Sequence, residues 1–493
     1  MSRQPTLLYS VADVRAMDAV AINELGIDSY LLMTRAARAG ANVVQDRFPT
    51  ARRLLVVCGA GNNAGDGYLL ARIAKDRGFD VTVCSLIDTR NLTGDAQRAC
   101  QEYLDSGGQC TAFTEICPGD FDVTVDALLG TGLSRPVEGA FAATIERINH
   151  RANAVVSLDI PSGLHGDSGH ALPVAVSADF TVTFVGRKTG LFTGEGPAYS
   201  GQVVYDSLEI PARVSTAFKA AARLLSDADA ALALPPRDAN AHKAQCGRVL
   251  LVAGGAGMPG AAVLAGSAAL RAGAGLIKVA CHPGNEMAIA MRPELMCQSV
   301  AESDMLMPLL EWCDIVAIGP GLGRDDWAEQ MVSRCVGAGK PMVADADALY
   351  FLPQFSQRPP QLIITPHVGE AARLLDVTTA SIQDDRFAAC RRISTKYNAV
   401  CVLKGAGTVV CTKDSMLSVC DRGNPGMATA GTGDVLTGIV AGVYAQQPDE
   451  TEALAAARAA VWVHAMAGDR ASDRGERGLI ASDLLESIRA FVN

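Results

Sequence analysis

The stretch that decides the fold of the N-terminal half is RLLVVC, residues 53–58, followed directly by GAGNNAGDG, residues 59–67. A short, almost continuous apolar run predicts a strand that is buried on both faces. A glycine-rich turn between such a strand and a helix presents free backbone N–H groups to an anion. The spacing differs from the dinucleotide fingerprint because Asn62, Asn63 and Asp66 interrupt it, and their oxygens suit a cation or a sugar hydroxyl. By itself, a tight turn with capping side chains is an open alternative.

Apolar runs of this kind alternate with amphipathic segments along the whole chain. In the first half we predict strands at 53–58, 80–86, 121–129, 154–160 and 180–185, and helices within 10–48 and at 66–77 and 94–104. In the second half we predict strands at 248–253, 275–280, 314–318, 341–344, 361–364 and 399–404, and helices at 259–272, 325–336, 368–375, 384–396, 433–445 and 451–467. Strands joined by helical crossovers predict an α/β protein with parallel sheets covered on both faces.

The length of 493 residues predicts two or three domains. Residues 210–241, rich in Ala and Asp and containing three prolines, separate two stretches that each carry the full strand–helix alternation. We therefore predict one domain at residues 1–220 and a second at 221–493.

Composition excludes several classes of function. Lys and Arg number 43 against 53 Asp and Glu, and this net charge of −10 disfavours binding to nucleic acids or anionic membranes. The hydrophobic fraction of 49% excludes disorder, yet no run reaches the ~18 clean apolar residues of a membrane span, and residues 1–18 lack the apolar core of a signal peptide. The 14 cysteines contain no Cys-x-x-Cys pair, and they predict buried free thiols in a reducing cytoplasm.

Two more motifs of the first half follow predicted strands. VDALLGTGL at 125–133 contains Asp126, and LDIPSGL at 158–164 contains Asp159. The carboxyl ends of parallel strands meet at one edge of a sheet, so we expect both carboxylates and the glycine-rich turn to converge on one crevice. We expect Asp159 to be buried and to serve in acid/base chemistry. Each aspartate alone could equally be a capping carboxylate.

The second half carries six motifs at predicted strand or helix ends: GGAGMPGAA at 254–262, GPGLG at 319–323, DADAL at 345–349, TPHVGE at 365–370, KGAGT at 404–408 and GMATAGTGD at 426–434. The last is the most specific, because Gly-Thr-Gly at a helix start forms an anion hole of amides with Asp434 beside it. Phosphoryl transfer needs that cradle and a carboxylate to activate the acceptor hydroxyl. Lys404 can neutralise phosphate charge. The P-loop motif is missing from the sequence, which excludes P-loop chemistry.

Plainer interpretations of these motifs stay open. His367 alone is more often a structural histidine than a ligand, and Glu370 alone is most often a charge favoured by a helix dipole. Asp345 and Asp347 could simply end a strand, and the Gly-Thr-Gly-Asp element could be a capped turn.

The first half resembles the YjeF N-terminal family of NAD(P)H-hydrate epimerases. The resemblance rests on GAGNNAGDGYLLAR (59–72), VDALLGTGL, LDIPSGL and the lead-in MDAVAINELGIDSYLLMTRAA (17–37). It implies a Rossmann-like three-layer domain that acts on a nicotinamide cofactor hydrated at C6, with Asp159 as the catalytic carboxylate. The hydrate-binding residues it implies are Asn62, Asn63, Ala64, Gly65, Asp66, Gly130, Thr131, Gly132, Leu133, Ser134, Arg135, Pro136 and Asp159. It implies a potassium ion held by Asn63, Asp126 and Ser162. The sequence departs from the family pattern at Ala64, usually Gly, and at residues 34–37, where Thr-Arg-Ala-Ala replaces Glu-Asn-Ala-Gly.

The second half, over residues 225–490, resembles the YjeF C-terminal family of the ribokinase-like fold. The resemblance implies a three-layer NAD(P)H-hydrate dehydratase that uses Mg²⁺ and a nucleotide donor, ADP in bacterial members and ATP in eukaryotic ones; we expect ADP here. Asp434 matches the catalytic carboxylate. The implied hydrate-binding residues are Ala261, Ala262, Gly321, Gly323, His367 and Asp434, and the implied nucleotide-binding residues are Lys404, Gly405, Ala406, Gly407, Thr408 and Gly433. One departure is Ala244 after Lys243, where the family usually has Gly.

Together these resemblances predict a homo-oligomeric two-domain repair enzyme. The first domain would interconvert the R and S hydrates of NADH and NADPH, and the second would remove the S hydrate. One alternative is a ribokinase-like small-molecule kinase resembling hydroxyethylthiazole kinase, which the epimerase-like half and residues 404–408 argue against. Another is a catalytically silent N-terminal binding module, which the presence of Asp126 and Asp159 argues against.

Overall fold

The structure is a computed structural model that describes residues 6–113, 116–446 and 453–493. It divides into two compact units, an N-terminal unit of Leu7–Ala222 and a C-terminal unit of Arg223–Asn493. Across the described residues, no helix combines the length and the apolar character needed to cross a bilayer.

The elements of the N-terminal unit alternate as predicted. Its strands are β1 (Leu7–Tyr9), β2 (Arg53–Cys58), β3 (Asp80–Ser85), β4 (Cys110–Thr111), β5 (Val123–Ala127), β6 (Val155–Leu158), β7 (Phe180–Phe184), β8 (Arg187–Lys188) and β9 (Gln202–Asp206). Its helices are α1 (Val11–Asn23), α2 (Ser29–Arg47), α3 (Asn62–Asp76), α4 (Gly94–Asp105), α5 (Gly139–Arg151), α6 (Gly196–Ser200) and α7 (Ala212–Thr216). Ser10 caps α1 by accepting a hydrogen bond from the Asp13 amide at 3.1 Å.

Seven of these strands form one parallel sheet in the order β4-β3-β2-β5-β6-β7-β9. Successive residues of β2 alternate between two cores, with Leu54 and Val56 packing against α2, α3 and α4, and Leu55 and Val57 packing on the side of α5. The sheet is therefore the middle of three layers. The strand order reverses between β2 and β5, which is the doubly wound arrangement of Rossmann-like folds and leaves a crevice at that point.

The C-terminal unit has its own sheet and helices. Strand β10 (Ala222–Leu224) spans the division, and the others are β11 (Arg248–Val252), β12 (Leu276–Cys281), β13 (Met296–Ser299), β14 (Ile315–Ile318), β15 (Met342–Ala344), β16 (Leu362–Ile364), β17 (Val400–Leu403), β18 (Thr408–Cys411) and β19 (Leu417–Cys420). The helices are α8 (Asp227–Ala233), α9 (Pro259–Arg271), α10 (Glu286–Ala290), α11 (Met307–Trp312), α12 (Asp326–Gly337), α13 (Ala346–Phe351), α14 (Val368–Leu375), α15 (Thr379–Asp384), α16 (Arg386–Tyr397), α17 (Thr432–Tyr444), α18 (Ala453–Ala471) and α19 (Ala481–Ser487).

The strand order here is β13-β12-β11-β14-β15-β16-β17-β18-β19. Strands up to β17 are parallel, but β18 pairs antiparallel with β17 and β19 antiparallel with β18. The predicted parallel sheet is therefore confirmed from β13 to β17, and the antiparallel pairing of β18 and β19 was not predicted. Each missed strand has four residues, too few for an apolar run to separate a hairpin from a loop. The order reverses between β11 and β14, which again places a crevice at the strand ends.

Close helix packing positions the Gly-Thr-Gly-Asp element at the start of α17. A Cβ on Gly438 would lie 2.1 Å from the Ala265 carbonyl oxygen, and one on Gly442 would lie 2.5 Å from that of Ala269. Only glycine lets α17 approach α9 this closely. Gly438 and Gly442 therefore set the distance between the two helices, and with it the position of the Gly-Thr-Gly-Asp element at the start of α17.

The predicted elements agree with the structure to within a few residues at each end, and this holds for short strands such as β15 and β16 as well as for the long helices. Helix α5 and the short strands β13, β18 and β19 were not predicted. The helix predicted at 451–467 runs from 453 to 471 in the described part of the chain, and residues 451 and 452 lie outside it. All fourteen cysteines are free and ten are buried, as predicted.

Candidate active sites

The first candidate site is a cavity of about 680 Å³ in the N-terminal unit, beyond the carboxyl ends of β2 and β5. It brings together residues from all three motifs of the first half. The sequence-predicted residues that line it are Asn62, Asn63, Asp66, Gly130, Thr131, Gly132, Leu133, Ser134, Arg135 and Asp159. Ala64 and Gly65 instead face the protein interior, and a Cβ on Gly65 would lie 2.6 Å from the Met33 sulfur of α2. Pro136 does not line the cavity.

Asp159 lies in this cavity as one half of an ion pair. Its backbone is left-handed, with φ of 65°, and its carboxylate accepts a hydrogen bond from Lys188 Nζ. The Lys188 ammonium is 1% exposed and also donates to Thr183 Oγ1 at 3.1 Å and to the Phe184 carbonyl at 2.9 Å. The prediction that Asp159 is buried is wrong, because its side chain is 18% exposed and faces the cavity. Lys188 was missed because a single lysine after a strand carries no motif.

Two further carboxylates share this pocket. Burial raises the pKa of Asp18 to about 6, partly offset by the Lys188 charge. Burial also raises the pKa of Asp66 well above its usual range, helped by the charges of Asp159 and Asp18. The pocket therefore places three carboxylates around Lys188, and burial makes Asp18 and Asp66 hold protons more readily than an exposed aspartate does. Asp18 belongs to α1, and nothing near it in the sequence signalled a site.

Asp126 lies beneath the cavity floor and is completely buried. It accepts hydrogen bonds from the Ser162 amide and from the Ser157 hydroxyl, both at 2.8 Å, and from Ser162 Oγ at 2.5 Å. Burial raises its pKa, and the hydrogen bonds from Ser162 and Ser157 partly oppose this. Asn63 Nδ2 donates to the Leu129 carbonyl at 3.0 Å, whereas Asn63 Oδ1 is buried and has no hydrogen-bond partner among the described residues. This amide oxygen and the buried Asp126 carboxylate, which forms no ion pair within the same part of the chain, fit a monovalent cation.

The second candidate site lies in the C-terminal unit, where β15, β17 and α17 meet. Lys404 Nζ contacts Asp345 Oδ1 at 2.6 Å and Glu370 Oε2 at 3.8 Å. Asp345 Oδ2 accepts a second hydrogen bond from the Thr437 hydroxyl of α17 at 2.6 Å. Asp345 is thus more than a strand-end residue, since it ties Lys404 to the helix that carries the Gly-Thr-Gly-Asp element.

Asp434 lies in the first turn of α17, next to this ion pair. Burial and the charge of Asp345 raise its pKa to about 6. The turn before it depends on Gly431, whose φ of 93° is accessible mainly to glycine. A Cβ on Gly433 would lie 3.6 Å from Lys404 Nζ and 3.9 Å from Asp345 Oδ2, so these predicted residues do converge.

A buried histidine that the motifs did not reveal supports this turn. His464 of α18 places Nε2 2.9 Å from the Thr432 carbonyl oxygen, and burial lowers its pKa to about 4. The ring is therefore neutral at physiological pH, and its hydrogen bond connects α18 to the start of α17.

The glycine-rich loops after β11 and β14 lie against each other. The Gly255 amide donates to the Gly321 carbonyl at 2.7 Å, and a Cβ on Gly321 would lie 2.9 Å from the Ala261 Cβ. Asp347 Oδ2 accepts the Gly323 amide at 3.0 Å, so Asp347 shapes this loop. Of the predicted hydrate-binding residues, Ala261, Gly321 and Gly323 share this loop pair, whereas Ala262 is fully buried.

The 404–408 loop rests on a buried arginine. Arg386 Nη2 donates to the Leu403 and Lys404 carbonyl oxygens, both at 3.2 Å, and burial lowers the pKa of Arg386 to about 10. Gly405 passes close to this guanidinium with φ of 138°. Arg386 lies 18 residues before Lys404, so the loop's support could not be inferred from the motif.

His367 has a local role in the structure. Its Nδ1 accepts hydrogen bonds from the Gly369 and Glu370 amides at 2.9 and 3.2 Å, which caps α14. The side chain is 59% exposed, and its Nε2 lies 3.3 Å from Glu370 Oε1. The geometry favours the structural interpretation, and a hydrate-binding role stays a prediction.

Two doubly wound units, each with an ion pair and glycine-rich loops at its strand ends, define a two-domain α/β enzyme with a site in each unit. The family model described as NAD(P)H-hydrate dehydratase matches residues 249–490, and that described as YjeF-related protein N-terminus matches residues 29–190. A bifunctional NAD(P)H-hydrate repair enzyme Nnr of Coxiella burnetii is 41% identical over 99% of this chain and 100% of the relative. Its counterpart from Escherichia coli is 38% identical over 99% and 94%.

Among solved structures, a ribokinase-like superfamily protein from Enterococcus faecalis has a TM-score of 0.51 and 29% identity, over 56% of this chain and 96% of that one. The chain belongs to the family of bifunctional NAD(P)H-hydrate repair enzymes. It is an enzyme with a Rossmann-like N-terminal unit and a ribokinase-like C-terminal unit, as the sequence predicted.

Proposed function

We propose that residues 1–220 interconvert the R and S hydrates of NADH and NADPH, and that residues 221–493 dehydrate the S epimer with ADP as phosphoryl donor. The observation that carries the proposal is a lysine–aspartate ion pair at the strand ends of each sheet, Lys188 with Asp159 and Lys404 with Asp345. Two separate sites with different chemistry fit a reaction in two steps. The 41% identity to a bifunctional repair enzyme extends over 99% of the chain and therefore supports both halves of the assignment.

In the N-terminal site, the substrate carbon carries a hydroxyl and a ring nitrogen. Its inversion requires a proton to be given to, and taken from, the oxygen or the nitrogen. The exposed face of the Asp159 carboxylate can accept that proton, and Lys188 holds the carboxylate in place. Asp18, with its pKa raised to about 6, can return a proton near neutral pH. Asn63, Asp126 and Ser162 would hold a potassium ion, which when bound orients oxygen atoms.

In the C-terminal site, the Asp434 carboxylate takes the proton of the C6 hydroxyl, and that oxygen attacks the terminal phosphorus of ADP. The bond between this phosphorus and the bridging oxygen breaks, so AMP leaves. The amides at the start of α17 and the Lys404 ammonium stabilise the phosphoryl charge. The C6–O bond then breaks and the phosphate departs with its electron pair. The adjacent carbon then loses a proton to the released phosphate or to water, and the electron pair of that C–H bond forms the double bond of NAD(P)H.

A magnesium ion fits this site only together with the nucleotide. Among the described residues, no group of three or more His, Cys, Asp or Glu side chains is arranged to hold a metal ion alone. Phosphate oxygens of the bound nucleotide would therefore supply most ligands, and magnesium when bound neutralises phosphate charge.

The test is recovery of the near-ultraviolet absorbance of reduced nicotinamide from a mixture of R and S NADH hydrates with ADP, magnesium and potassium. We expect recovery of both epimers and release of AMP. Recovery of the S fraction alone would make the N-terminal unit a silent module. A stable phosphorylated product without AMP would instead favour a small-molecule kinase.

We also propose that the chain acts in a reducing cytoplasm as a homo-oligomer. The free state of all fourteen cysteines supports the compartment. Light scattering of the purified chain tests the assembly, and a mass of 51.4 kDa would show a monomer.

A further inference from the structure

Helix α1 forms one wall of the N-terminal cavity. Val14, Arg15, Asp18 and Ile22 all line the cavity, and their spacing places them on one face of the helix. Asp18 joins the carboxylates around Lys188. Arg15 is the single cation on this face, and neither the proposed reaction nor the sequence motifs give it a role.

The Arg15 guanidinium lies over the glycine loop that follows β5. A Cβ on Gly132 would lie 3.4 Å from Arg15 Nη2. Among the residues that the structure describes, Arg15 has no ion pair and no side-chain hydrogen bond. Within that same part of the chain, the amides of Gly130, Thr131 and Gly132 donate no intramolecular hydrogen bond. An unpaired guanidinium beside three free amides is a set of donors arranged for an anion.

The same loop connects this cluster of donors to the reactive end of the cavity. A Cβ on Gly130 would lie 3.8 Å from Asp159 Oδ2, whereas that on Gly132 lies next to Arg15. Two residues span at most about 7 Å, so both ends fall within the length of one nucleotide. The cavity therefore has a proton-exchanging end at Asp159 and an anion-binding end at Arg15.

We propose that Arg15, together with the amides of Gly130–Gly132, binds the pyrophosphate of the hydrated dinucleotide and thereby places its ring against Asp159. The inference rests on the proposed epimerase function and names the subsite that orients its substrate. A pyrophosphate is shared by the NADH and NADPH hydrates, whereas a 2′-phosphate occurs only in the second. Arg15 is thus a positioning residue that touches the substrate away from the reacting atoms.

The test replaces Arg15 by Ala and by Lys in the full chain. Epimer interconversion is followed by chromatography without ADP, so that the dehydratase is idle. We expect Arg15→Ala to raise KM about tenfold or more for both hydrates, with kcat little changed, because a charge-assisted contact is made equally in ground and transition states. Arg15→Lys, which keeps the charge, should recover part of this loss. Inorganic pyrophosphate should inhibit the wild type more strongly than Arg15→Ala.

The matched control is Arg213→Ala, which removes an exposed arginine of the same unit that does not line the cavity. A kcat for epimer interconversion close to the wild-type value reports that the N-terminal unit of each variant is folded, and ADP-dependent turnover of the S hydrate reports the same for the C-terminal unit. An unchanged KM in Arg15→Ala overturns the proposal, and a rise for NADPH hydrate alone overturns the assignment to pyrophosphate. If the wild type interconverts no epimers, the proposed function itself fails, and this outcome is distinct from the other two.

Discussion

Each unit contains one lysine–aspartate ion pair at its strand ends, but the lysine is the buried partner in one unit and the aspartate is the buried partner in the other. In the N-terminal unit, Lys188 is 1% exposed and Asp159 is 18% exposed, so the carboxylate faces the cavity. In the C-terminal unit, Asp345 is 2% exposed and Lys404 is 18% exposed, so the ammonium faces the site. Both pairs lie at the strand ends of sheets whose order reverses once. Burial thus decides whether a lysine–aspartate pair offers the substrate a proton acceptor or a positive charge.

The chemistry of each unit follows from this difference. A carboxylate at the cavity surface suits proton exchange with a neutral hydrated ring. An ammonium at the site surface suits a phosphate, and in our proposal the proton acceptor there is another residue, Asp434. The predictions below test this assignment from the largest expected effect to the smallest.

Asp434→Asn should lower ADP-dependent turnover of the S hydrate about 10²- to 10⁴-fold, because the amide cannot accept the hydroxyl proton. Coupled measurement of AMP release and nicotinamide absorbance checks this. Interconversion of the epimers serves as the internal control and should keep its wild-type rate. A variant that retains dehydratase turnover would remove Asp434 from the reaction.

Asp159→Asn should have the reciprocal effect, with a similar loss of epimer interconversion and unchanged turnover of pure S hydrate. Chromatography of the epimers measures the first, and absorbance recovery measures the second. Because Lys188 keeps its contacts to Thr183 and Phe184, the circular dichroism spectrum should stay native. Unchanged turnover of the R hydrate would contradict this prediction and favour the alternative that the N-terminal unit is a catalytically silent binding module.

Replacing each lysine by methionine compares the stability lost when the aspartate left behind is buried with the stability lost when it is exposed to the cavity. Lys404→Met leaves the buried Asp345 carboxylate without its partner, and we expect a loss of about 3–5 kcal/mol in the stability of the C-terminal unit. Lys188→Met leaves Asp159, which water can reach, so the loss in the N-terminal unit should be smaller. Urea denaturation of the full chain, followed by the two activities, measures both. Equal losses would contradict the proposed importance of which partner is buried.

Dehydratase turnover should depend on pH through Asp434. Its pKa is raised to about 6, and the base must be ionised to act. Activity should therefore be half-maximal near pH 6, fall about tenfold for each pH unit below it, and level off above it. A profile of kcat/KM for the S hydrate checks this, because kcat/KM reports the pKa of the site before the hydrate binds. The residual activity of Asp434→Asn should lack this limb, and its persistence would assign the titration to another group.

The smallest expected effect concerns His367. His367→Ala removes the cap of α14 and should cost about 1 kcal/mol of stability, whereas His367→Asn supplies another capping side chain and should retain most of it. Thermal unfolding measures the difference. A KM for the S hydrate that rises in both variants would show that the ring binds substrate, and a KM unchanged in both would restrict His367 to capping.

The sequence predicted the parts of each site that are continuous in the chain. The turn at 59–67, the loops after β5 and β14, and the Gly-Thr-Gly-Asp start of α17 lie where the motifs placed them. It did not predict the short antiparallel strands β18 and β19, since four residues carry little periodicity. It also missed Asp18, Arg386 and His464, which support the sites from other elements.

By itself, the sequence determined the order of strands and helices, because a strand's apolar run and the turn that follows it are local features. It also determined the α/β class and the presence of aspartates at strand ends. Only the tertiary structure decided which charges meet. Lys188 reaches Asp159 across 29 residues and Lys404 reaches Asp345 across 59, and both pairings depend on strand order in the sheet. The burial of each partner depends on packing from several elements, which no single stretch of sequence encodes.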